Sequence, residues 1–225
     1  MNIRLVIFDF DGTLADTKSL IVATKQETMR RMGLKVENED VCASTIGLPL
    51  KKSYQVMYPE FDEKTIDECV ATYRAVFDEI KDEHPPVMFP GVKEVLSALR
   101  EKSIKTTIAT SRRRDSLIDF LNEWDITEYF PYVLGGDDTA RNKPDPEPVI
   151  KTLNDLSVKA DEALVVGDMS FDIEMGNRAG AYTCGVTYGN ASAEALSEAK
   201  ADYMIDNAMD LLDLLNMTAI GSASF

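Results

Sequence analysis

The stretch Asp9-Phe10-Asp11-Gly12-Thr13-Leu14 decides the fold, because it directly follows the apolar run Ile3-Arg4-Leu5-Val6-Ile7-Phe8. Such a β-branched, apolar run is typical of a strand buried on both faces, and Asp-Gly is a turn signal. Asp9 and Asp11 therefore come at the carboxyl end of a predicted central parallel strand, where open α/β sheets bind their ligands. Side chains two apart on a strand point to one face, so both carboxylates could share one metal ion or one substrate.

An isolated Asp-x-Asp is more often a turn that carries solvated acids. Two acids at the end of an apolar strand, however, are energetically costly unless a cation compensates them. This cost favours a functional site at the end of the strand.

Composition limits the class of protein. The chain has 225 residues, of which 44% are hydrophobic and 28% charged, enough for an α/β core with a smaller insertion. Its net charge of −15 argues against nucleic acid and anionic membranes as partners, since both bind clustered Lys and Arg. The sequence shows neither a secretion signal nor an apolar run near the ~20 residues of a membrane helix. We expect a cytoplasmic protein with a small-molecule partner; its oligomeric state is left open.

Cysteine and histidine chemistry is not indicated. Cys42, Cys69 and Cys184 lie far apart without metal-binding spacing, and we expect them to be small buried residues. The single histidine, His84, argues against a His-based triad and a His-rich zinc site.

The periodicity of the chain changes twice. Between about residues 16 and 87 strand-like runs disappear, and Ser19 to Met32 and Asp62 to Lys81 carry apolar residues at helical spacing. From Gly91 onward strands and helices alternate, which predicts a parallel sheet covered by helices on both faces. We therefore expect an α/β fold with a doubly wound parallel sheet. The predicted core spans residues 1–15 and 88–216, the helical insertion 16–87, and a loose tail 217–225.

The second predicted core strand ends in Thr110-Ser111, whose hydroxyls could hold a phosphate oxygen. Taken alone, this pair is more typical of a helix N-cap. The following Arg112, Arg113 and Arg114 could assist an anionic substrate, but the pattern favours a solvated helix start.

Two further loops place charged residues at predicted strand or helix ends. Lys143, in Asn142-Lys143-Pro144-Asp145-Pro146, would project near a helix N-terminus that favours an anion. Asp168 follows a buried-type strand, and Asp172 comes one helical turn later. Asp168 could bind a metal ion, and Asp172 could orient a metal-bound water or Lys143. Alternatively, both acids could simply favour a helix N-terminus through the helix dipole.

Together these motifs resemble the signatures of the haloacid dehalogenase superfamily. Asp9 to Leu14 with Asp16 resembles its opening Asp-x-Asp-Gly-Thr-Leu/Val-x-Asp, and Thr110, Lys143 and Asp168 follow in the superfamily's order. The position of the helical insertion resembles the subgroup of phosphoglycolate phosphatase and β-phosphoglucomutase. The resemblance implies a Rossmann-like core with a helical cap, covering essentially the whole chain apart from the tail.

The resemblance also implies roles for the acids. Asp9 would be the nucleophile that forms an aspartyl-phosphate, and the side chain of Asp11 would be the general acid and base. Mg²⁺ would be held by Asp9, Asp168 and the backbone carbonyl of Asp11.

The remaining site residues follow from the same resemblance. Thr110, Ser111 and Lys143 would bind the phosphoryl group, with Thr110 and Lys143 acting in the transition state, and Asp172 would orient Lys143 or a metal-bound water. In the cap, a loop with Gly47 and Lys51 is the candidate for substrate selection. A simple bend between two cap helices explains that loop equally well.

The implied function is a Mg²⁺-dependent phosphatase acting on a small phosphorylated metabolite of the phosphoglycolate or sugar-phosphate type. A phosphomutase is an alternative, although the early cap lacks the histidine of such mutases between Asp16 and Arg31. A dehalogenase is weaker, because dehalogenases lack the second acid that Asp11 supplies. From another class, a receiver-type signalling domain also uses strand-end acids, but such modules are smaller and lack the insertion.

Overall fold

The structure, a computed structural model, describes residues 2–216; the predicted tail at 217–225 lies outside the described residues. Eight strands are present in these residues, six of them in one parallel sheet. In chain order they are β1 Leu5–Phe8, β2 Ala15–Asp16, β3 Val87–Met88, β4 Lys105–Ala109, β5 Tyr132–Leu134, β6 Ala163–Gly167, β7 Tyr182–Val186 and β8 Tyr203–Ile205.

The helices agree with the predicted alternation. They are α1 Lys18–Arg31, α2 Glu39–Ala43, α3 Leu50–Met57, α4 Glu63–Ile80, α5 Val92–Glu101, α6 Arg114–Glu123, α7 Glu147–Leu156, α8 Ser170–Ala179, α9 Ala193–Glu198 and α10 Asp210–Leu214. The alternation of strands and helices predicted from Gly91 onward is observed from α5 to α10. Within residues 2–216 no helix is long and apolar enough to cross a membrane.

The main sheet has the strand order β5-β4-β1-β6-β7-β8, which confirms the predicted doubly wound α/β fold. Strand β1 lies between β4 and β6, with Phe8 aligned to Ile108 on one side and Val166 on the other. The chain first builds outward through β4 and β5, and then returns to build β6, β7 and β8 on the other side. Such a reversal opens a crevice at the carboxyl ends of the central strands.

Strand β1 is central because both of its faces are apolar. Val6 and Phe8 belong to a large core cluster on one face of the sheet, and Leu5 and Ile7 to a second cluster on the other. All four side chains are at most 4% exposed. Because side chains alternate along a strand, β1 contributes apolar residues to the clusters on both faces of the sheet. The polar residues follow at its carboxyl end.

Helices α1 to α4 have an apolar cluster of their own, which includes Met29, Tyr54 and Ile66. Their two connections to the rest of the chain run side by side as the antiparallel β2–β3 ladder, in which Ala15 aligns with Met88. Neither this ladder nor helix α2 was predicted, because segments of two to five residues are too short to show a period. The three cysteines are buried, as expected.

Candidate active site

Several of the predicted site residues lie together at the carboxyl edge of the sheet. The backbone N–H of Asp9, just past β1, donates to the carbonyl of Val166 at 2.8 Å, and that of Thr110 donates to Leu134 at 3.0 Å. Asp9 and Thr110 therefore continue the line of the strands for one residue. Asp168 follows β6 directly, so the acids and the hydroxyl meet at the crevice.

Lys143 is the centre of the charge arrangement. Its Nζ lies 2.5 Å from Oδ1 of Asp9 and 2.5 Å from Oδ1 of Asp172, and all three side chains are at most 2% exposed. Burial alone would lower the pKa of Lys143, but the adjacent Asp172 and Asp9 more than offset it and raise that pKa. The ammonium is therefore fixed in its charged form between two carboxylates.

Three carboxylates converge next to this ammonium. Asp9, Asp168 and Asp172 each place one oxygen within 4.8 Å of the others. Burial raises the pKa of Asp9 to about 7, with Asp172 and Asp11 adding to the rise and Lys143 opposing it. Burial also raises the pKa of Asp168 well above its usual range, helped by its two acidic neighbours. In the absence of a further cation, the site resists full ionisation.

Asp11 is held separately, by a bidentate ion pair. Its carboxylate accepts from Arg112 Nη2 at 2.6 Å and Nε at 3.2 Å, and from the Thr17 hydroxyl at 2.7 Å. The guanidinium also lies 5.4 Å from the ring centre of Phe77 in α4 and 5.0 Å from that of Phe120.

The expected solvated helix start is therefore wrong for Arg112, whose side chain is only 8% exposed. The physical reason is that the buried Asp11 charge requires a partner and the aromatic rings cover the guanidinium. Arg113 and Arg114 do lie at the surface.

The two hydroxyls after β4 have different partners. Thr110 is buried, and its Oγ1 accepts from the backbone N–H of Arg112 at 3.1 Å. It does not cap helix α6, whose N-cap position is Arg113. Ser111 donates its hydroxyl to the Gly47 carbonyl at 2.6 Å, so in this arrangement it contacts the helical segment.

Gly47 and Lys51, the two candidates for substrate selection, also have different partners. Gly47 reaches the sheet edge through the Ser111 hydrogen bond. The ammonium of Lys51 lies 2.9 Å from Glu63 and 2.8 Å from Asp67, two exposed carboxylates of α4. Both Gly47 and Lys51 line a cavity of about 1060 Å³, which Asp11 also lines. Only Gly47 touches a residue that follows a strand of the main sheet.

The acid pattern fits a divalent cation. Oδ2 of Asp9 and Oδ1 of Asp168 are buried, and neither has a hydrogen-bond partner in the described part of the chain. The four buried carboxylates exceed the cations Lys143 and Arg112 by two negative charges. Unpartnered carboxylate oxygens with an excess charge of this size are what a hard cation such as Mg²⁺ binds.

Sequence reasoning missed Asn190, which holds Asp168. Its backbone N–H and its side-chain amide both donate to Asp168 Oδ2 at 2.8 Å. Gly12 packs closely against the same Asp168 oxygen. Its φ is +86°, and a Cβ there would come within 2.1 Å of Asp168 Oδ2, so only glycine fits. The turn at Gly12 was visible in the sequence, whereas nothing local pointed to Asn190.

Lys25 was also missed. It is 2% exposed, and its Nζ donates to the Cys42 carbonyl at 2.9 Å and to the Thr45 hydroxyl at 2.6 Å. Burial lowers its pKa to about 7. A signal did exist, because Lys25 is four residues from both Ile21 and Met29 and therefore lies on the apolar face of α1.

The stability of the fold should depend on pH through Lys25. The unfolded chain keeps this proton up to about pH 10.5, whereas the folded chain releases it near pH 7, so raising the pH between these values favours folding. We expect wild type to gain about 2 to 3 kcal/mol relative to Lys25→Met between pH 7 and pH 9. Urea unfolding of both proteins at the two pH values measures this gain. Equal pH dependence in the two proteins would contradict it.

Comparison with known proteins identifies the family of the chain. Residues 6–186 match the family described as haloacid dehalogenase-like hydrolase. The chain belongs to this family. The match to a hydrolase family excludes the receiver-type alternative. Together with relatives that are named phosphatases, it confirms the predicted enzyme class: the protein is a haloacid dehalogenase-type phosphatase.

Relatives within the haloacid dehalogenase-like hydrolases cover nearly the whole chain. The pyrophosphatase PpaX of Anoxybacillus flavithermus is 34% identical over 220 residues, which are 97% of this chain and 100% of that protein. The phosphoglycolate phosphatase of Salmonella typhimurium is 30% identical over an alignment that covers 96% of this chain and 94% of that protein. A crystal structure of a predicted phosphatase from Clostridium acetobutylicum superimposes with a TM-score of 0.86 at 26% identity, covering 96% of this chain and 100% of that one.

Proposed function

We propose that the protein is a Mg²⁺-dependent phosphatase that hydrolyses a small phosphorylated metabolite through an aspartyl-phosphate on Asp9. The observation that carries the proposal is the ammonium of Lys143 between Asp9 and Asp172, beside the unpartnered oxygens of Asp9 and Asp168. An ammonium and a cation site around one reactive carboxylate suit the transfer of a phosphoryl dianion.

The carboxylates of Asp9 and Asp168, together with the backbone carbonyl of Asp11, would hold the metal ion. When bound, Mg²⁺ would neutralise part of the phosphate charge that otherwise repels the attacking carboxylate. Asn190 fixes one Asp168 oxygen through two hydrogen bonds and leaves the other oxygen for this role.

The covalent step belongs to Asp9. One of its oxygens would attack phosphorus as the bond to the leaving oxygen breaks, and Asp11 would give that oxygen its proton. Asp11 would then take a proton from water, which attacks the aspartyl-phosphate, releases inorganic phosphate and regenerates Asp9. Thr17 and Arg112 hold the Asp11 carboxylate in place for both proton transfers.

Thr110 and Lys143 would bind the transferring oxygens. The Thr110 oxygen accepts from the Arg112 backbone, which leaves the hydroxyl hydrogen free to donate to a phosphoryl oxygen. Asp172 contacts Lys143 and would act as its positioning residue. Ser111 would contribute to phosphate binding only after releasing Gly47.

We further propose that the helical segment at 16–87 is a cap on a core formed by 1–15 and 88–216. Support comes from its separate apolar cluster and from the cavity that both parts line. The Ser111–Gly47 hydrogen bond joins the two across this cavity, and the β2–β3 ladder marks the crossing between them. Closure of such a cap would exclude bulk water from the phosphoryl group.

The substrate we propose is of the phosphoglycolate or sugar-phosphate type. Relatives named pyrophosphatase and phosphoglycolate phosphatase support a small substrate. The absence of histidine between Asp16 and Arg31 argues for hydrolysis over a mutase reaction.

Phosphate release from p-nitrophenyl phosphate tests the proposal. We expect many turnovers per protein molecule with Mg²⁺, activity near background in excess EDTA, and recovery when Mg²⁺ is restored. Mg²⁺ should also raise the unfolding temperature, because it binds the folded acids and not the unfolded chain. Full activity in EDTA, or a single phosphate per protein, would contradict the proposal. A panel of phosphoglycolate, sugar phosphates and pyrophosphate then ranks the substrates.

Asn190→Ala should weaken metal binding. The variant removes one of the two hydrogen bonds that orient Asp168, and losing such a support costs about 10-fold or more in metal affinity. The Mg²⁺ concentration for half-maximal activity measures the effect, and Asn207→Ala, which removes an exposed amide bound to Asp210, is the matched control. Identical Mg²⁺ dependence in the two variants would show that Asn190 does not support the metal site.

A further inference from the structure

Lys25 carries a charge that the phosphoryl chemistry at Asp9 does not use. It projects from α1 into a polar network with the Cys42 carbonyl and the hydroxyls of Thr45 and Ser53. No carboxylate in residues 2–216 forms an ion pair with it, although the chain carries 39 acidic residues. A buried ammonium without an acid is costly, so its position calls for an explanation beyond packing.

The network fixes the ammonium without satisfying it. The Thr45 oxygen accepts from Lys25 at 2.6 Å and from Ser53 at 2.8 Å, while its own hydrogen goes to the Cys42 carbonyl at 3.1 Å. Lys25 thus uses two of its three N–H bonds within the described part of the chain, and the third has no protein acceptor there. The arrangement holds a cation rigidly and leaves one donor for a ligand.

That donor belongs to a residue that lines the substrate cavity. Lys25, Thr45 and Ser53 line the same space of about 1060 Å³ as Asp11, the proposed proton donor to the leaving oxygen. The part of the substrate that leaves would extend from the phosphoryl group into this space. Lys25 lines the cavity that the leaving portion would enter.

We propose that Lys25 binds an anionic group on the leaving portion of the substrate, either a carboxylate or a second phosphoryl group. The inference rests on the proposed phosphatase function and narrows its substrates to esters or anhydrides with a second negative charge. The ligand would supply the negative charge that no side chain among residues 2–216 supplies to Lys25. The bound anion would raise the lowered pKa of Lys25, because an adjacent negative charge stabilises the protonated amine.

Matched substrate pairs test the proposal. 2-Phosphoglycolate is compared with 2-hydroxyethyl phosphate, which replaces the carboxylate by a neutral alcohol, and pyrophosphate is compared with methyl phosphate. For wild type we expect kcat/KM to be at least 10-fold higher for the anionic member of one pair; the pair that shows it identifies carboxylate or phosphoryl as the group bound. In Lys25→Met this preference should fall by 10-fold or more, chiefly through KM.

Two further variants separate charge from folding. Lys25→Gln keeps amide donors for Cys42 and Thr45 but has no charge, and it should lose the preference as well. Lys64→Met, at an exposed lysine of α4, should keep it. Equal losses for both members of a pair would assign Lys25 a structural role only and overturn the inference, as would a preference retained by Lys25→Gln or absent from wild type. No hydrolysis of p-nitrophenyl phosphate by wild type would instead reject the phosphatase function, and the inference with it.

Discussion

Asp9→Asn should lower kcat by about four to six orders of magnitude, because the amide cannot act as the attacking carboxylate. The side chain keeps its size and its place between β1 and the ammonium of Lys143, so the loss would report on chemistry. Phosphate release at saturating substrate and Mg²⁺ measures it. Asp161→Asn, at an exposed acid just before β6, is the control and should retain wild-type activity.

The same variant should be more stable than wild type in EDTA at pH 8. Burial raises the pKa of Asp9 from 3.8 to about 7, so the folded state favours the protonated acid and loses stability as the pH rises between these two values. Asparagine removes that ionisation. Loss of activity with a raised unfolding temperature would exclude misfolding as the cause, whereas wild-type turnover by Asp9→Asn would remove Asp9 as the nucleophile.

Lys143→Met should damage both activity and stability. Removing the ammonium leaves Asp9 and Asp172 buried without their cation, and breaking a buried pair in this way costs about 3 to 5 kcal/mol. Because the folded chain raises the pKa of Lys143, the stabilisation is present at every pH below about 10.5. We expect kcat/KM to fall by about 10³-fold, since a donor to the transferring phosphoryl group is lost.

Lys151→Met is the matched control, because Lys151 forms an exposed ion pair with Asp155 on α7. Its unfolding free energy should stay within about 1 kcal/mol of wild type, as is usual for surface pairs. Urea unfolding and steady-state kinetics of both variants provide the comparison. If the two variants were equally stable and equally active, Lys143 would contribute neither to catalysis nor to the stability of the site.

Much of the fold could be predicted because its signals are local. The apolar run before Asp9 identifies the central strand, and the β-α alternation after Gly91 identifies the parallel sheet. Strand ends of a parallel sheet meet at one edge, so the proximity of Asp9 and Asp168 followed from topology, whereas the place of Lys143, in the loop before α7, was implied by the family resemblance. The structure brings these residues together as expected.

The rest depends on contacts between distant segments. From the sequence, Arg112 is predicted to be a solvated residue at a helix start. Its contacts with Asp11 and Phe77 join segments that are distant in sequence, so spacing does not indicate them. Asn190 reaches Asp168 from the loop after β7, 22 residues away in sequence, and the sequence gives no sign that this loop turns back over Asp168. Lys25 lies on an apolar helix face, which is a local signal, but only the fold shows that no acidic side chain among residues 2–216 forms an ion pair with it.

The β2–β3 ladder restricts how the helical segment can travel. Ala15 and Asp16 are tied to Met88 and Val87, and the Phe89 backbone N–H donates to the Leu14 carbonyl at 3.0 Å. Two separate tethers would let the helices swivel freely, whereas a hydrogen-bonded ribbon flexes across its flat face and resists torsion and sliding. The ladder would therefore guide the proposed cap opening along a single arc and return the Gly47 loop to its position beside Ser111 on closure.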